Sequence, residues 1–254
     1  MITCEVCVEG VPGAIAAEAG GADRIELCAG LVEGGTTPSV GTLSAVLEAI
    51  SADVMVLVRP RGGDFLYSDA ELDVMLRDVR AVRAAGALGI ATGALTREGE
   101  VDENATAALR EAAGGMSFTF HRAFDMTRDP YQSLETLIQL GVHRVLTSGQ
   151  ERSVPEGMDL IGGLVELAKG RTSIMPGGGI KADNIQHIIR KTGARELHFT
   201  AFSSQESPMA HRNTRPLMGS DRVPGEYEKL VTSPEAVRGI VTRSRTDGVV
   251  APGD

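Results

Sequence analysis

Tryptophan is absent from this 254-residue chain, and aromatic residues make up only 4% of it. No apolar run approaches the roughly 20 residues that a membrane-spanning helix needs, so we expect no membrane partner. The chain also has no Lys/Arg-rich run, and its net charge of −9 argues against a nucleic-acid partner. Its first residues contain no basic region typical of a secretory signal, and we therefore expect a cytoplasmic protein.

Cysteine is scarce, with only Cys4, Cys7 and Cys28. In a reducing compartment three cysteines are not a disulfide framework. Cys4 and Cys7 match the C-x-x-C spacing, but they fall in a predicted strand, where residues three apart face opposite sides. We therefore expect no metal clamp from this pair, and we expect Cys4 to pack against a helix.

Strand-like and helix-like segments alternate along the whole chain. The strand-like segments are residues 3–8, 24–28, 54–59, 89–92, 117–121, 144–147, 172–175 and 196–200. Eight such pairs in this length predict a single-domain (β/α)₈ TIM barrel over residues 1–243. A doubly wound open sheet is the alternative, but no G-x-G-x-x-G follows the first strand, so no nucleotide cofactor motif is present.

A long polar segment, about residues 203–232, follows the eighth strand and precedes a last helix opened by Ser233 and Pro234. A lid over the barrel mouth, an oligomer contact and a mobile loop are all compatible with this composition. Residues 244–254 are predicted to be a flexible tail.

Ionisable side chains are predicted to point into the barrel from several strands. Alternation along the strands places Glu5 with Cys7, and Arg24 with Glu26 and Cys28, on inward faces. The same alternation predicts that five further side chains face inward: Thr119, His121, Glu196, His198 and Thr200. Ordinary barrel interiors are filled by Val, Ile and Leu, so this pattern indicates a binding or catalytic site. Glu5, Glu26 and His121 are candidate acid/base groups, because carboxylates beside cations have divergent pKa values.

Two arginines, Arg59 and Arg61, follow the apolar run of residues 54–58. Their spacing predicts that both project from one face of the strand, to be neutralised by carboxylates or to bind an anion. Ser68 and Glu71 form a predicted capping box that starts the next helix. Asp64 and Asp125 lie just beyond strand ends, where they could orient a hydroxyl group or hold a divalent ion.

Loops after the last strands add further anion-binding candidates. They are Ser148 after the sixth strand, Gly177 and Gly178 after the seventh, and Ser203 after the eighth. Loops at these positions bind phosphate through backbone N–H groups in many barrels. The chain is therefore also interpretable as an enzyme acting on a small anionic, phosphorylated or sugar-like substrate held by Arg59 and Arg61.

Five motifs resemble the CutC family, the copper homeostasis protein family. They are GADRIELC at 21–28, EGGTTPS at 33–39, RPRGGDF at 59–65, FHRAFD at 120–125 and LTSG at 146–149. The resemblance spans nearly the whole chain, and it implies a cytosolic (β/α)₈ barrel that forms homo-oligomers.

The resemblance also implies copper as a partner, because Cys7 and Cys28 match the cysteine pair proposed as the family's copper ligands. Two thiolates on neighbouring strands suit Cu(I). The nearby arginines are expected to lower the thiol pKa values. Two alternatives remain open: buried cysteines serving only as small core residues, and an enzyme in which the copper role is incidental.

Overall fold

The structure is a computed structural model that describes residues 2–216 and 225–246. Eight parallel strands form its central sheet: β1 (Thr3–Glu9), β2 (Arg24–Cys28), β3 (Asp53–Leu57), β4 (Gly89–Thr92), β5 (Ser117–Phe120), β6 (Arg144–Thr147), β7 (Ser173–Pro176) and β8 (Glu196–Phe199). Neighbours in sequence are neighbours in the sheet, and β8 pairs with β1. A bridge between Gly177 and His198 joins the last two strands. The sheet is therefore nearly closed, and the predicted (β/α)₈ barrel is confirmed.

Eight helices surround the strands: α1 (Gly10–Ala19), α2 (Val40–Ala49), α3 (Asp69–Ala85), α4 (Glu103–Ala113), α5 (Pro130–Gln139), α6 (Val154–Ala168), α7 (Ile185–Thr192) and α8 (Pro234–Arg245). The outward faces of the strands supply the main core beneath them, with fully buried residues such as Val6, Ile25, Val56 and Phe118. None of the helices among the described residues is long and apolar enough to cross a membrane.

Two helices begin at the residues predicted above. Ser68 and Glu71 form a complete capping box at α3. Ser233 caps α8 with Pro234 in the first turn, and Asp129 caps α5 in the same manner. A side-chain acceptor at these positions satisfies backbone N–H groups that have no partner inside the helix.

The largest error in the predicted strand boundaries is at β3, which ends at Leu57, two residues before the predicted end at Arg59. Other strand ends differ from the prediction by one residue, as at β1, which extends to Glu9. Helix α6 begins at Val154, with Pro155 in its first turn. Asn184 precedes α7, and its Oδ1 accepts from Lys181 N.

The segment after β8 contains two paired strands. Strands β9 (Phe202–Glu206) and β10 (Glu228–Thr232) pair antiparallel outside the barrel sheet. The rest of the predicted long segment includes residues 217–224, which lie outside the described residues. Ser244 and Arg245 still belong to α8, so the predicted tail starts too early, and residues 247–254 lie outside the described part of the chain.

Candidate functional site

Two free thiols meet inside the barrel. The Sγ atoms of Cys7 and Cys28 lie 3.5 Å apart, and both residues are buried. They form a small interior cluster with Leu57 and Ala91, separate from the main core. Cys4, from the opposite face of β1, instead contacts Ser244 of α8 at 3.3 Å. The predicted alternation along β1 is therefore confirmed by these contacts.

Glu26 and His198 complete a group of potential metal ligands around Cys7. One donor atom from each of these three buried residues lies within 4.8 Å of the other two. Cys7 donates to Glu26 Oε2 at 3.3 Å, and His198 Nε2 lies 3.8 Å from the same oxygen. Thiolate, imidazole and carboxylate are all metal-binding groups in proteins.

Glu5 holds the imidazole of His198 in this orientation. Glu5 Oε1 lies 2.8 Å from His198 Nδ1, because register pairs Glu5 of β1 directly with His198 of β8. The second nitrogen, Nε2, therefore faces Glu26. Metal-binding histidines usually present one nitrogen to the metal while the other donates to a carboxylate, and this arrangement has that form.

The pKa values of these groups diverge. Burial raises the pKa of Glu5, but the hydrogen bond from His198 and the charge of Arg24 outweigh it and hold the pKa at about 2. Burial raises the pKa of Glu26, and the charge of Glu5 adds to that rise. Burial lowers the pKa of His198, but the charge of Glu26, hydrogen bonds to Cys7 and Glu5, and the charge of Glu5 together raise it well above 6.5.

The pKa of the Cys7 thiol is not lowered, which corrects the expectation from the nearby arginines. The hydrogen bond with Cys28, burial and the charge of Glu26 raise this pKa well above 9. Cys7 is therefore a protonated thiol at neutral pH, and a metal would have to displace its proton.

Below this group, an ion-pair network joins four strands. Glu196 Oε2 accepts from Arg24 Nη2 and from Arg144 Nε, each at 2.6 Å. Arg24 also pairs with Glu5. The network compensates the buried charges of β1, β2, β6 and β8, which would otherwise destabilise the barrel interior.

A cavity of about 380 Å³ opens above the metal-ligand group. Six side chains supply its apolar walls: Leu31, Leu57, Phe65, Leu146, Ile180 and Phe199. Among the predicted residues, those that line it are Cys7, Glu26, Arg59, His121, Gly177 and Gly178. Apolar walls with a few converging polar groups are typical of small-molecule sites.

His121 contributes a neutral ring to this cavity. Burial lowers its pKa to about 3, and the charge of Arg59 contributes to the shift. Its Nδ1 accepts from Ala123 N at 3.2 Å, so the proton of the neutral ring is on Nε2. His121 therefore offers a hydrogen-bond donor rather than a base.

Arg59 and Arg61 do not project together. Because the chain leaves the strand at Leu57, the two-residue period no longer applies to them. Arg59 is buried and donates to the carbonyl groups of Glu33, Gly35 and Gly63. Arg61 is outside the cavity lining and pairs with Glu71 and Asp64.

Other predicted residues also lie away from the cavity. Asp125 accepts from Ser148 N at 3.0 Å and from Ser148 Oγ at 3.0 Å, and both side chains also accept from Arg122. Ser203 is exposed on β9, opposite Val231. Glu5 and Cys28 are buried and are not among the residues that line the cavity.

Sequence reasoning did not single out three of the lining residues: His198, Arg122 and Lys181. Alternation along β8 predicts that His198 faces inward together with Glu196. That inward position is the signal that could have identified His198 as a site residue. Arg122 directly follows His121, and Lys181 follows the glycine loop after β7, but one sequence does not show which loop cations turn inward.

The match to a known family model covers residues 2–203, and the family is described as the CutC family. The chain belongs to the CutC family. A human relative, the copper homeostasis protein cutC homolog, is 50% identical over 234 residues, 92% of this chain and 86% of that protein. The family protein CutC of Mesorhizobium japonicum is 47% identical over 95% of this chain and 93% of that protein.

Solved structures agree on the fold. The crystal structure of CutC from Streptococcus agalactiae covers 78% of this CutC-family chain and 98% of its own, with 35% identity and a TM-score of 0.75. Phosphoribosylanthranilate isomerase from Thermotoga maritima superposes with a TM-score of 0.58 at 10% identity. The second likeness shows only a shared barrel fold.

Proposed function

We propose that this protein is a copper homeostasis protein that binds one Cu(I) ion through Cys7, Cys28 and His198, with Glu26 beside the ion. The observation that carries the proposal is the pair of thiols 3.5 Å apart, next to an imidazole that is oriented by a carboxylate. The names of the curated relatives, copper homeostasis proteins among them, support the same metal.

The donor set fits a soft metal ion. Two metal–sulfur bonds of about 2.3 Å, a length typical of zinc thiolates, span the 3.5 Å between the sulfurs at an angle of about 100°. Thiolates and imidazole are ligands that Cu(I) accepts readily, whereas hard cations prefer sets made of oxygen alone. The ligand atoms of Cys7, Glu26 and His198 lie within 4.8 Å of one another, which suits a single ion.

The buried, reduced thiols are compatible with copper in the Cu(I) state. All three cysteines are buried and free, and thiols persist as ligands in a reducing compartment. We therefore propose that the protein works in the cytoplasm.

The homo-oligomer implied by the family resemblance is part of the same proposal, and light scattering after size-exclusion chromatography tests it directly.

Copper(I) titration under reducing conditions, against a chromophoric competitor, tests this function. We expect tight one-to-one binding by the wild type and its loss in Cys7→Ser and in Cys28→Ser. Cys4→Ser is the matched control, because Cys4 is an equally buried thiol on the outward face of the same strand. Equal, weak binding by all four proteins would contradict the copper proposal.

A second function is favoured by the cavity above the thiols. Glu26, Arg59 and His121 each bring a buried polar atom without a partner, among the described residues, to the lining of one cavity. Such groups indicate a bound small molecule. We propose that the cavity takes a small anionic compound, in addition to or in place of the copper role.

A further inference from the structure

Unpaired buried polar atoms concentrate at one place in this fold. Five buried side-chain nitrogen or oxygen atoms have no hydrogen-bond partner in the described part of the chain. Three of them, Glu26 Oε1, Arg59 Nε and His121 Nε2, belong to residues that line the 380 Å³ cavity. Folded proteins leave few such atoms unpaired, so three around one cavity indicate that a ligand completes them.

The three atoms define what the ligand must offer. Glu26 Oε1 is an acceptor in its ionised form, whereas Arg59 Nε and His121 Nε2 are donors. Glu26 comes from β2, and Arg59 and His121 follow β3 and β5, so all three lie in one half of the barrel mouth. A hydroxyl group can donate to Glu26, and a hydroxyl or carbonyl oxygen can accept from the other two.

Cationic side chains lie beside the loops after β6 and β7. Arg122 is held by Asp125 at 2.7 Å and by Ser148 at 2.7 Å through Nε and Nη2. Its Nη1 has no hydrogen-bond partner among the described residues and faces Gly178, where an added Cβ would lie 3.5 Å from it. Lys181 lines the same side of the cavity and is exposed.

We propose that the cavity binds a small hydroxy or oxo compound that carries a terminal anionic group, a phosphate or a carboxylate. Its oxygen-rich end contacts Glu26, Arg59 and His121, and its anionic end lies between Arg122 and Lys181. The apolar walls enclose its carbon chain, and the cavity volume suits a compound of about three to six carbons. This inference rests on the second function proposed above and does not depend on copper.

The proposal gives a role to two residues that the sequence predicted at the site: Asp125, as a group that orients a hydroxyl or holds a divalent ion, and Ser148, as an anion contact. Asp125 and Ser148 do not reach the cavity, but they fix the guanidinium of Arg122 beside Gly178. They are therefore positioning residues. A small residue at 178 leaves room for the anionic group, and the left-handed backbone there, with φ of 113°, favours glycine.

The test is isothermal titration calorimetry on the full chain with copper removed by a chelator. The phosphorylated probes are glycerol 3-phosphate and D-ribose 5-phosphate, and the carboxylated probes are malate and gluconate. Glycerol and D-ribose are matched controls that lack the anionic group, and inorganic phosphate is the control that lacks the carbon chain. We expect at least one anionic probe to bind about tenfold or more tightly than both its neutral counterpart and inorganic phosphate.

Two variants at the cavity and one control away from it locate the binding. Lys181→Ala removes an exposed cation at the cavity and should weaken the best anionic probe about tenfold. Arg190→Ala removes an exposed cation on α7 away from the cavity, and its binding should equal that of the wild type. His121→Gln should weaken the same probe by a similar factor through the loss of the Nε2 donor.

Absence of binding by every anionic probe at millimolar concentration would overturn the proposal. Equal losses in Lys181→Ala and Arg190→Ala would overturn it as well, because they would reveal attraction by net charge alone. Both results are obtained without copper, so they leave the outcome of the copper titration unaffected. A failed copper titration likewise leaves this proposal standing.

Discussion

Glu5 Oε1 lies 2.8 Å from His198 Nδ1, and this contact orients the ring that faces Cys7 and Glu26. The pair is buried and comes from strands β1 and β8, at the point where the barrel closes. The pairing of β8 with β1 therefore also brings His198 to the candidate metal site.

The affinity for Cu(I) should rise with pH. The Cys7 thiol and the His198 imidazole both have raised pKa values, so both are protonated at neutral pH and copper must displace their protons. We expect affinity to increase about tenfold to a hundredfold per pH unit between pH 6 and 8. Competitor titrations at several pH values measure it. A pH-independent affinity would exclude Cys7 and His198 as ligands.

Replacing Glu5 by Gln should destabilise the metal-free protein by about 3 kcal/mol at pH 7, because Arg24 loses a buried partner. Urea denaturation measures this loss. Asp73→Asn, which removes the partner of exposed Arg77, is the control and should leave stability unchanged. A loss in Glu5→Gln no larger than in the control would contradict a stabilising role for the buried network.

Acid should unfold the wild type partly through Glu5. Its pKa is about 2 in the fold, below the value of about 4.3 in unfolded chains. Its contribution is therefore present above pH 4.3 and is lost as pH falls towards 2. Stability curves of wild type and Glu5→Gln should converge in that range. Parallel curves down to pH 2 would show that Glu5 is not the group responsible.

Two glycines of α6 should respond oppositely to alanine. A Cβ at Gly157 would lie 2.1 Å from Ser148 O, a backbone atom of the loop that positions Arg122. Gly157→Ala should destabilise the fold by about 2 kcal/mol or more. Gly162→Ala should stabilise it by up to about 1 kcal/mol, because its nearest neighbour is 3.5 Å away and alanine favours helix. Thermal unfolding measures both, and a stabilised Gly157→Ala would contradict the packing described.

The barrel could be predicted because strand period and helix caps are local signals. The alternation along β1 and β2 placed Glu5, Cys7, Glu26 and Cys28 inside correctly, since each of those strands remains regular to its end. The same rule failed for Arg61, because β3 ends at Leu57 and a loop has no fixed period.

The rest of the site depends on contacts between distant segments. His198 joins Cys7 through the register of β8 against β1, 191 positions apart in the chain, and no local pattern reports that register. Arg122 reaches the cavity only because Asp125 and Ser148 hold it there. The pKa of Cys7 is likewise raised by the hydrogen bond with Cys28, by burial and by the charge of Glu26, whereas the arginines in the sequence had predicted a lowered value.

X-ray absorption at the copper edge, on protein loaded with one equivalent of Cu(I), tests the central claim most directly. We expect a first shell with two sulfur atoms and one nitrogen, and an imidazole scattering signature that disappears in His198→Gln. A shell of oxygen and nitrogen alone, or a spectrum unchanged in Cys7→Ser and Cys28→Ser, would contradict copper binding at the site formed by Cys7, Cys28 and His198.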